Sequence, residues 1–208
     1  EALLKTWLAR AKSLGVTGVL LGNLGHLPLA FDSELYFYGD YGLNVFNSYA
    51  LAYLRDKGLA SACLSFELRF SQIRDLRKCL PAEMIVYGRL PIMITEHCLT
   101  QNRQGCRFDT GGPTAPAGAP CRGSRLLQDR TGAAFPLLPA YGHRTEMQNS
   151  RPLWLADLPD WRRLGLTYAR LRFTVEPPAE CAEIFRAYRT GGSPPERFTR
   201  GLCRRGVQ

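Results

Sequence analysis

The feature that most restricts the fold is an alternation over the first hundred residues, in which short apolar segments are followed by amphipathic stretches bearing helix start and stop signals. Val16–Leu21, Leu35–Tyr38, Ala60–Leu64 and Met84–Tyr87 have the length and the apolar content of strands. Gly15 stops a helix before the first strand. Asn47 or Ser48 can open a helix after the second, which Gly58 ends, and Ser65 with Glu67 and Leu68 can open another after the third. Four such units in succession predict an α/β fold with a parallel sheet. Two arrangements satisfy them: the C-terminal half of a (β/α)8 TIM-like barrel, with active groups at the C-terminal strand ends, or a doubly wound open sheet.

The chain opens without Met on a helical pattern, Leu3, Leu4, Trp7, Leu8 and Ala11, so the half-barrel reading expects an N-terminal half that precedes it or is supplied by a partner chain. With 208 residues and 45% hydrophobic content, the chain can bury one core plus an appendage. We expect a half-barrel of strand–helix units over residues 1–97 and a cysteine- and arginine-rich α+β extension over 98–208. Within the extension, residues 109–120 (DTGGPTAPAGAP) are too rich in Gly, Pro and Ala for a regular element. Leu126–Pro136 and Tyr168–Val175 read as strands, Pro177–Arg189 as a helix, and 190–208 as an Arg-rich tail. No apolar run is long enough to span a membrane and no signal-peptide order is present, so a cytoplasmic location is expected.

The formal charge of +9 lies almost wholly in the second half, since residues 1–100 carry 10 Lys+Arg against 9 Asp+Glu, and 101–208 carry 17 against 9. All 17 of those cations are arginine, whose planar fork suits phosphate and carboxylate. This is either a solvated surface or the footprint of an anionic partner such as RNA. Polar residues follow each proposed strand: Asn23, then Asp40 and Asn44, then Ser65 and Glu67, then Arg89. Each suits a cap or turn. Asp40, Asn44 and Arg89 are the candidates for a substrate pocket at a barrel mouth.

Seven cysteines, an odd number with uneven spacing, fit reduced thiols better than a disulfide framework. Cys98, Cys106 and Cys121 stand 8 and 15 residues apart in loop-like sequence, where thiolates can converge on a metal. The spacing is neither a standard zinc nor a ferredoxin motif, and ordinary buried cysteines explain it equally well. His143, 22 residues beyond Cys121, is the best non-cysteine candidate for a fourth ligand. Cys63, Cys79, Cys181 and Cys203 read as structural. His26 is a lone loop histidine and His97 adjoins Cys98. There is no Gly-x-Ser-x-Gly elbow, His-Glu-x-x-His helix or Walker-type loop, and no catalytic residue is assigned.

Taken in order, GDYGLNVFNSYAL (39–51), SFELRFSQI (65–73), EMIVYGRLPIMITEHC (83–98), QDRTGAAFPL (128–137), GHRTEMQNSRPLWLAD (142–157) and FTRGLCRRGV (198–207) resemble the C-terminal part of peptidase family U32, the collagenase-like peptidases. The resemblance implies half of a (β/α)8-type barrel followed by a cysteine-bearing extension. Its better understood relatives are iron–sulfur proteins of oxygen-independent hydroxylation, acting on tRNA, rRNA or a ubiquinone precursor. It implies a cluster, 4Fe-4S by kind, on Cys98, Cys106, Cys121 and His143, with zinc as the alternative. Glu83 and Gly88 match the family motif, Pro91 stands where a cysteine is common, and His143 stands at the place of the last family cysteine. The implied function is a cluster-dependent factor acting on RNA or an anionic aromatic small molecule, with an electron donor that the sequence does not identify. The alternatives are the labelled peptidase activity and a non-catalytic homologue, either zinc-stabilised or degenerate.

Overall fold

The computed structural model describes residues 2–31, 34–99, 126–140 and 144–205. Helix α1 (Ala2–Ser13) lies largely exposed, with Leu4 and Leu8 against the core, and Gly15 follows at φ 80. Strands β1 (Gly18–Leu21), β2 (Tyr36–Gly39), β3 (Ser61–Cys63) and β4 (Ala82–Gly88) pair in parallel in chain order. The helices between them are short: α2 (Pro28–Phe31), α3 (Ser48–Asp56) and α4 (Phe70–Asp75). The Asn47 side chain caps α3 by accepting from Ala50 N at 2.9 Å. The expected helix start at Ser65–Leu68 is a turn instead, because Ser65 Oγ accepts from Glu67 N at 3.4 Å. The helix begins at Phe70, with Gln72 Oε1 accepting from Arg69 N at 2.9 Å.

Beyond β4 the chain builds a second, antiparallel sheet and then returns. Strands β5 (Pro91–Thr95), β6 (Leu126–Gln128), β7 (Ala134–Ala140) and β8 (Arg144–Gln148) form the order β5-β8-β7-β6. The single strand expected over Leu126–Pro136 is therefore a hairpin. Its turn is set by Asp129, whose Oδ1 accepts from Thr131 N and Ala133 N at 2.8 and 3.0 Å. Strand β9 (Leu153–Trp154) pairs antiparallel with β4, and β10 (Tyr168–Arg172) extends the parallel sheet on the far side of β4. Helix α5 (Pro178–Thr190) ends at Gly191, φ 81, and the segment after it, expected as an Arg-rich tail, packs back on the core: Thr199 bridges Leu153 and Cys203 is buried.

The parallel sheet runs β1-β2-β3-β4-β10, so the fold is mixed α/β, and among the described residues the sheet does not close into a barrel. Its two faces differ. Leu21, Phe37, Ala62, Leu64, Ala82 and Met84 are buried on one. Register places Leu20, Tyr36, Tyr38, Ser61, Cys63, Glu83, Tyr168 and Arg170 on the other, where Leu20, Tyr36 and Tyr168 are 51%, 64% and 49% exposed.

Tyr188 of α5 joins the elements behind β4. Its hydroxyl donates to Val86 O at 2.5 Å and accepts from Leu155 N at 2.8 Å, while its ring packs on Trp154 with centroids 5.5 Å apart. Burial raises its pKa well above the usual phenol range, so the proton stays in place for donation. Tyr188→Phe strands a buried carbonyl and a buried N–H. The expected result is about 2 kcal/mol of lost stability, read in urea unfolding as a lower midpoint with an unchanged slope.

Candidate functional site

The polar residues at the C-terminal strand ends are bound mostly to backbone groups of the turns around them. After β1, Asn23 Oδ1 accepts from Gly25 N at 2.8 Å and opens a 3-10 turn. After β2, Asp40 Oδ1 accepts from Tyr41 N at 2.8 Å, and Asn44 ends the next 3-10 turn in the left-handed region at φ 48. After β4, Arg89 Nη1 donates to Asn149 O and Ser150 O at 3.1 and 2.5 Å. Asp40, Asn44 and Arg89 thus each have a turn, cap or backbone-clamping role in the free protein.

Two arginines of β10 organise this end of the sheet. Arg170 donates through Nη1 to Asp40 Oδ1 at 2.5 Å, and its Nε pairs with Glu83 Oε1. Burial pulls the Arg170 pKa down, but the hydrogen bonds to Asp40 and Glu83 outweigh it and the net shift is upward, so the cation is locked. Arg172 donates to Arg89 O at 2.7 Å, Gln148 Oε1 at 2.8 Å and Glu146 Oε1 at 3.1 Å, with its guanidinium 5.4 Å from the Tyr41 ring centroid. Gln148 is fully buried and donates to Glu146 Oε1 at 2.5 Å. Arg172 therefore ties the mouth of the parallel sheet to β8 of the antiparallel one.

Cys98 lies just beyond β5, half-buried. The backbone on its far side is held by Thr145, whose buried hydroxyl accepts from Leu99 N at 3.1 Å. The β5–β8 register pairs Thr95 with Thr145, and β7 pairs Ala140 with Arg144. Arg144 Nε also donates to Glu96 Oε2 at 3.0 Å. The end of β5, the end of β7 and the start of β8 thus meet at the end of the sheet where Cys98 sits. Cys106, Cys121 and His143 lie outside the described residues. Among the described residues no group of three or more His, Cys, Asp or Glu is placed to hold a metal.

Cys63 and Cys203 are poor nucleophiles and poor ligands. Burial, reinforced by the Glu83 charge, pushes the Cys63 thiol up to about 12, and burial pushes Cys203 up to about 11. Cys181 Sγ donates to Glu176 O at 3.7 Å. His26 closes the 3-10 turn after β1, and His97 is exposed.

Sequence reasoning passed over Arg170, Arg172, Glu146, Gln148 and Trp154. A signal existed for the first two, since Tyr168-Ala169-Arg170-Leu171-Arg172 alternates and so directs successive arginines away from the apolar positions. Nothing local marks Glu146 and Gln148 as their partners.

A family model described as peptidase family U32 matches residues 2–190. No curated protein and no solved structure matches the chain. The matched span runs from α1 through both sheets to the last residue of α5, and the chain therefore belongs to peptidase family U32.

Proposed function

We propose that this chain is an iron–sulfur-dependent factor in oxygen-independent hydroxylation of RNA or a small aromatic substrate, with Cys98, Cys106, Cys121 and His143 as the cluster ligands. The observation that carries the reading is the anchoring of Cys98: buried Thr145 holds Leu99 N, and the arginine network joins this sheet to the strand ends. Three thiolates and an imidazole form a soft donor set that suits an iron–sulfur cluster or zinc. A bound cluster would supply one-electron chemistry, while this chain's own residues would orient it against the mouth. The labelled peptidase activity is the alternative reading, in which Cys63 and Cys203, whose thiols burial pushes up, make poor nucleophiles.

The test is iron, sulfide and zinc analysis of protein purified without oxygen. The expected result is brown protein with stoichiometric iron and sulfide, and strong loss of both in Cys98→Ser and in Cys121→Ser, because each removes a thiolate from the first coordination sphere. Equimolar zinc without sulfide supports the zinc-stabilised homologue instead. Unchanged iron in both variants overturns the ligand assignment.

A further inference from the structure

The peptide groups on either side of Cys98 are both hydrogen-bonded to side chains of the antiparallel sheet. On the near side, Thr95 Oγ1 donates to His97 O at 2.6 Å. On the far side, Leu99 N donates to Thr145 Oγ1 at 3.1 Å. Thr95 and Thr145 are register partners, so one rung of the β5–β8 pair supplies both contacts. Each peptide group is planar, and holding the two restricts φ and ψ of Cys98 and with them the direction of its Cα–Cβ bond. A ligand held in this way gives up little more than its side-chain rotamer when it binds a metal.

The ties at this loop differ in weight. The Arg144–Glu96 pair is 47% and 74% exposed, so water screens it and can replace either partner. Thr95 is half-buried. Thr145 is only 4% exposed, so loss of its hydroxyl would leave the Leu99 N–H without an acceptor where water has little access. Thr145 also lies on β8, which begins at Arg144, the residue after His143. One buried side chain thus joins the loop of one proposed ligand to the strand that follows another.

We propose that Thr145 is a positioning residue for metal binding: with Thr95 it presets the backbone of Cys98 before metal arrives, and it holds that backbone to β8. Cys98 matters here as a cluster ligand, so this role rests on the function proposed above. It adds a residue outside the ligand set that decides how firmly the cluster is held.

Two measurements on the full chain test it, one of them without metal. In metal-free protein, hydrogen exchange at the Leu99 amide is slow in the wild type and in Thr145→Ser, and about tenfold faster in Thr145→Val, which keeps the branched shape but cannot accept. In protein loaded with iron and sulfide without oxygen, Thr145→Val loses iron to a ferrous chelator at least about tenfold faster than the wild type. The same variant gives an altered EPR signal from the reduced cluster, and Thr145→Ser restores both properties. Tyr188→Phe, which lowers stability behind β4, loses iron at the wild-type rate. Wild-type iron loss and EPR in Thr145→Val, with iron lost from Cys98→Ser, overturn the positioning role and leave the cluster reading standing. Equal acceleration in Tyr188→Phe, or fast Leu99 exchange in the metal-free wild type, overturns it as well. A wild type that takes up no iron, or a Cys98→Ser variant that keeps it, overturns the cluster reading and this role with it.

Discussion

Arg170→Met is expected to destabilise the protein by about 3 kcal/mol, because it leaves Asp40 and Glu83 facing one another without the cation between them. The three side chains are only 19%, 21% and 16% exposed, so water cannot replace the lost partner in full. Full burial would place the cost near the top of the range for a broken ion pair, about 5 kcal/mol, and the residual exposure brings it toward the lower end. Cys63, whose thiol already feels the Glu83 charge, shares the same face and would lose the moderating Arg170 cation as well. Arg170→Lys should cost less, about 1–2 kcal/mol, since an ammonium keeps the charge but cannot reproduce a fork that reaches Asp40 and Glu83 at once. Urea unfolding of the three proteins at neutral pH checks both numbers. A loss below about 1 kcal/mol for Arg170→Met would show that the pair is solvent-screened and not part of the fold's support.

Gly88→Ala is expected to cost at least about 3 kcal/mol, and the reason is backbone geometry and not side-chain chemistry. Gly88 sits at φ 134, where L-residues are strained, and a Cβ there would fall 2.4 Å from the Arg172 carbonyl oxygen and 2.9 Å from Arg172 Cβ. The nearest obstacle is backbone in the paired strand, since Gly88 is the register partner of Arg172. The end of β10 must therefore move, taking the Arg172 guanidinium away from Glu146 and Gln148. Gly58→Ala is the control: φ is 80 with nothing within 4 Å of the added Cβ, so only the backbone penalty of about 1 kcal/mol applies. The measurement is the pair of unfolding midpoints. Similar losses in the two variants would mean that β4 and β10 slide apart without cost.

The arginine excess of the second half takes on a different meaning once its partners are known. Arg144, Arg162, Arg170, Arg172 and Arg200 are each bound within the chain: to Glu96, to Tyr188 O, to Asp40 and Glu83, to Glu146 and Gln148, and to Asp157. A guanidinium can satisfy a carbonyl and a carboxylate together, as Arg200 does with Trp154 O and Asp157. Five of the 17 arginines of the second half thus serve to tie β8, β9, β10 and α5 to their surroundings.

Period and punctuation alone determined the strand–helix order of the first hundred residues. The apolar runs at β1 to β4, the Asn47 cap and the Gly15 and Gly58 stops are local signals, and a strand or a cap needs little else to be legible. The positions of α5 and β10 were legible for the same reason, and the ordered family motifs identified the lineage. What only the tertiary structure decided was non-local pairing. Strands β5 and β8 lie about fifty residues apart and join through cross-strand contacts, with no turn between them to read. Asp40 reads as a cap in its own neighbourhood and becomes an ion-pair partner only when Arg170, 130 residues on, is brought by β10 to the same face of the sheet, with β3 and β4 between their strands. The unpaired Nε1 of Trp154 likewise has no counterpart in sequence, because whether a donor finds an acceptor depends on everything that packs around it.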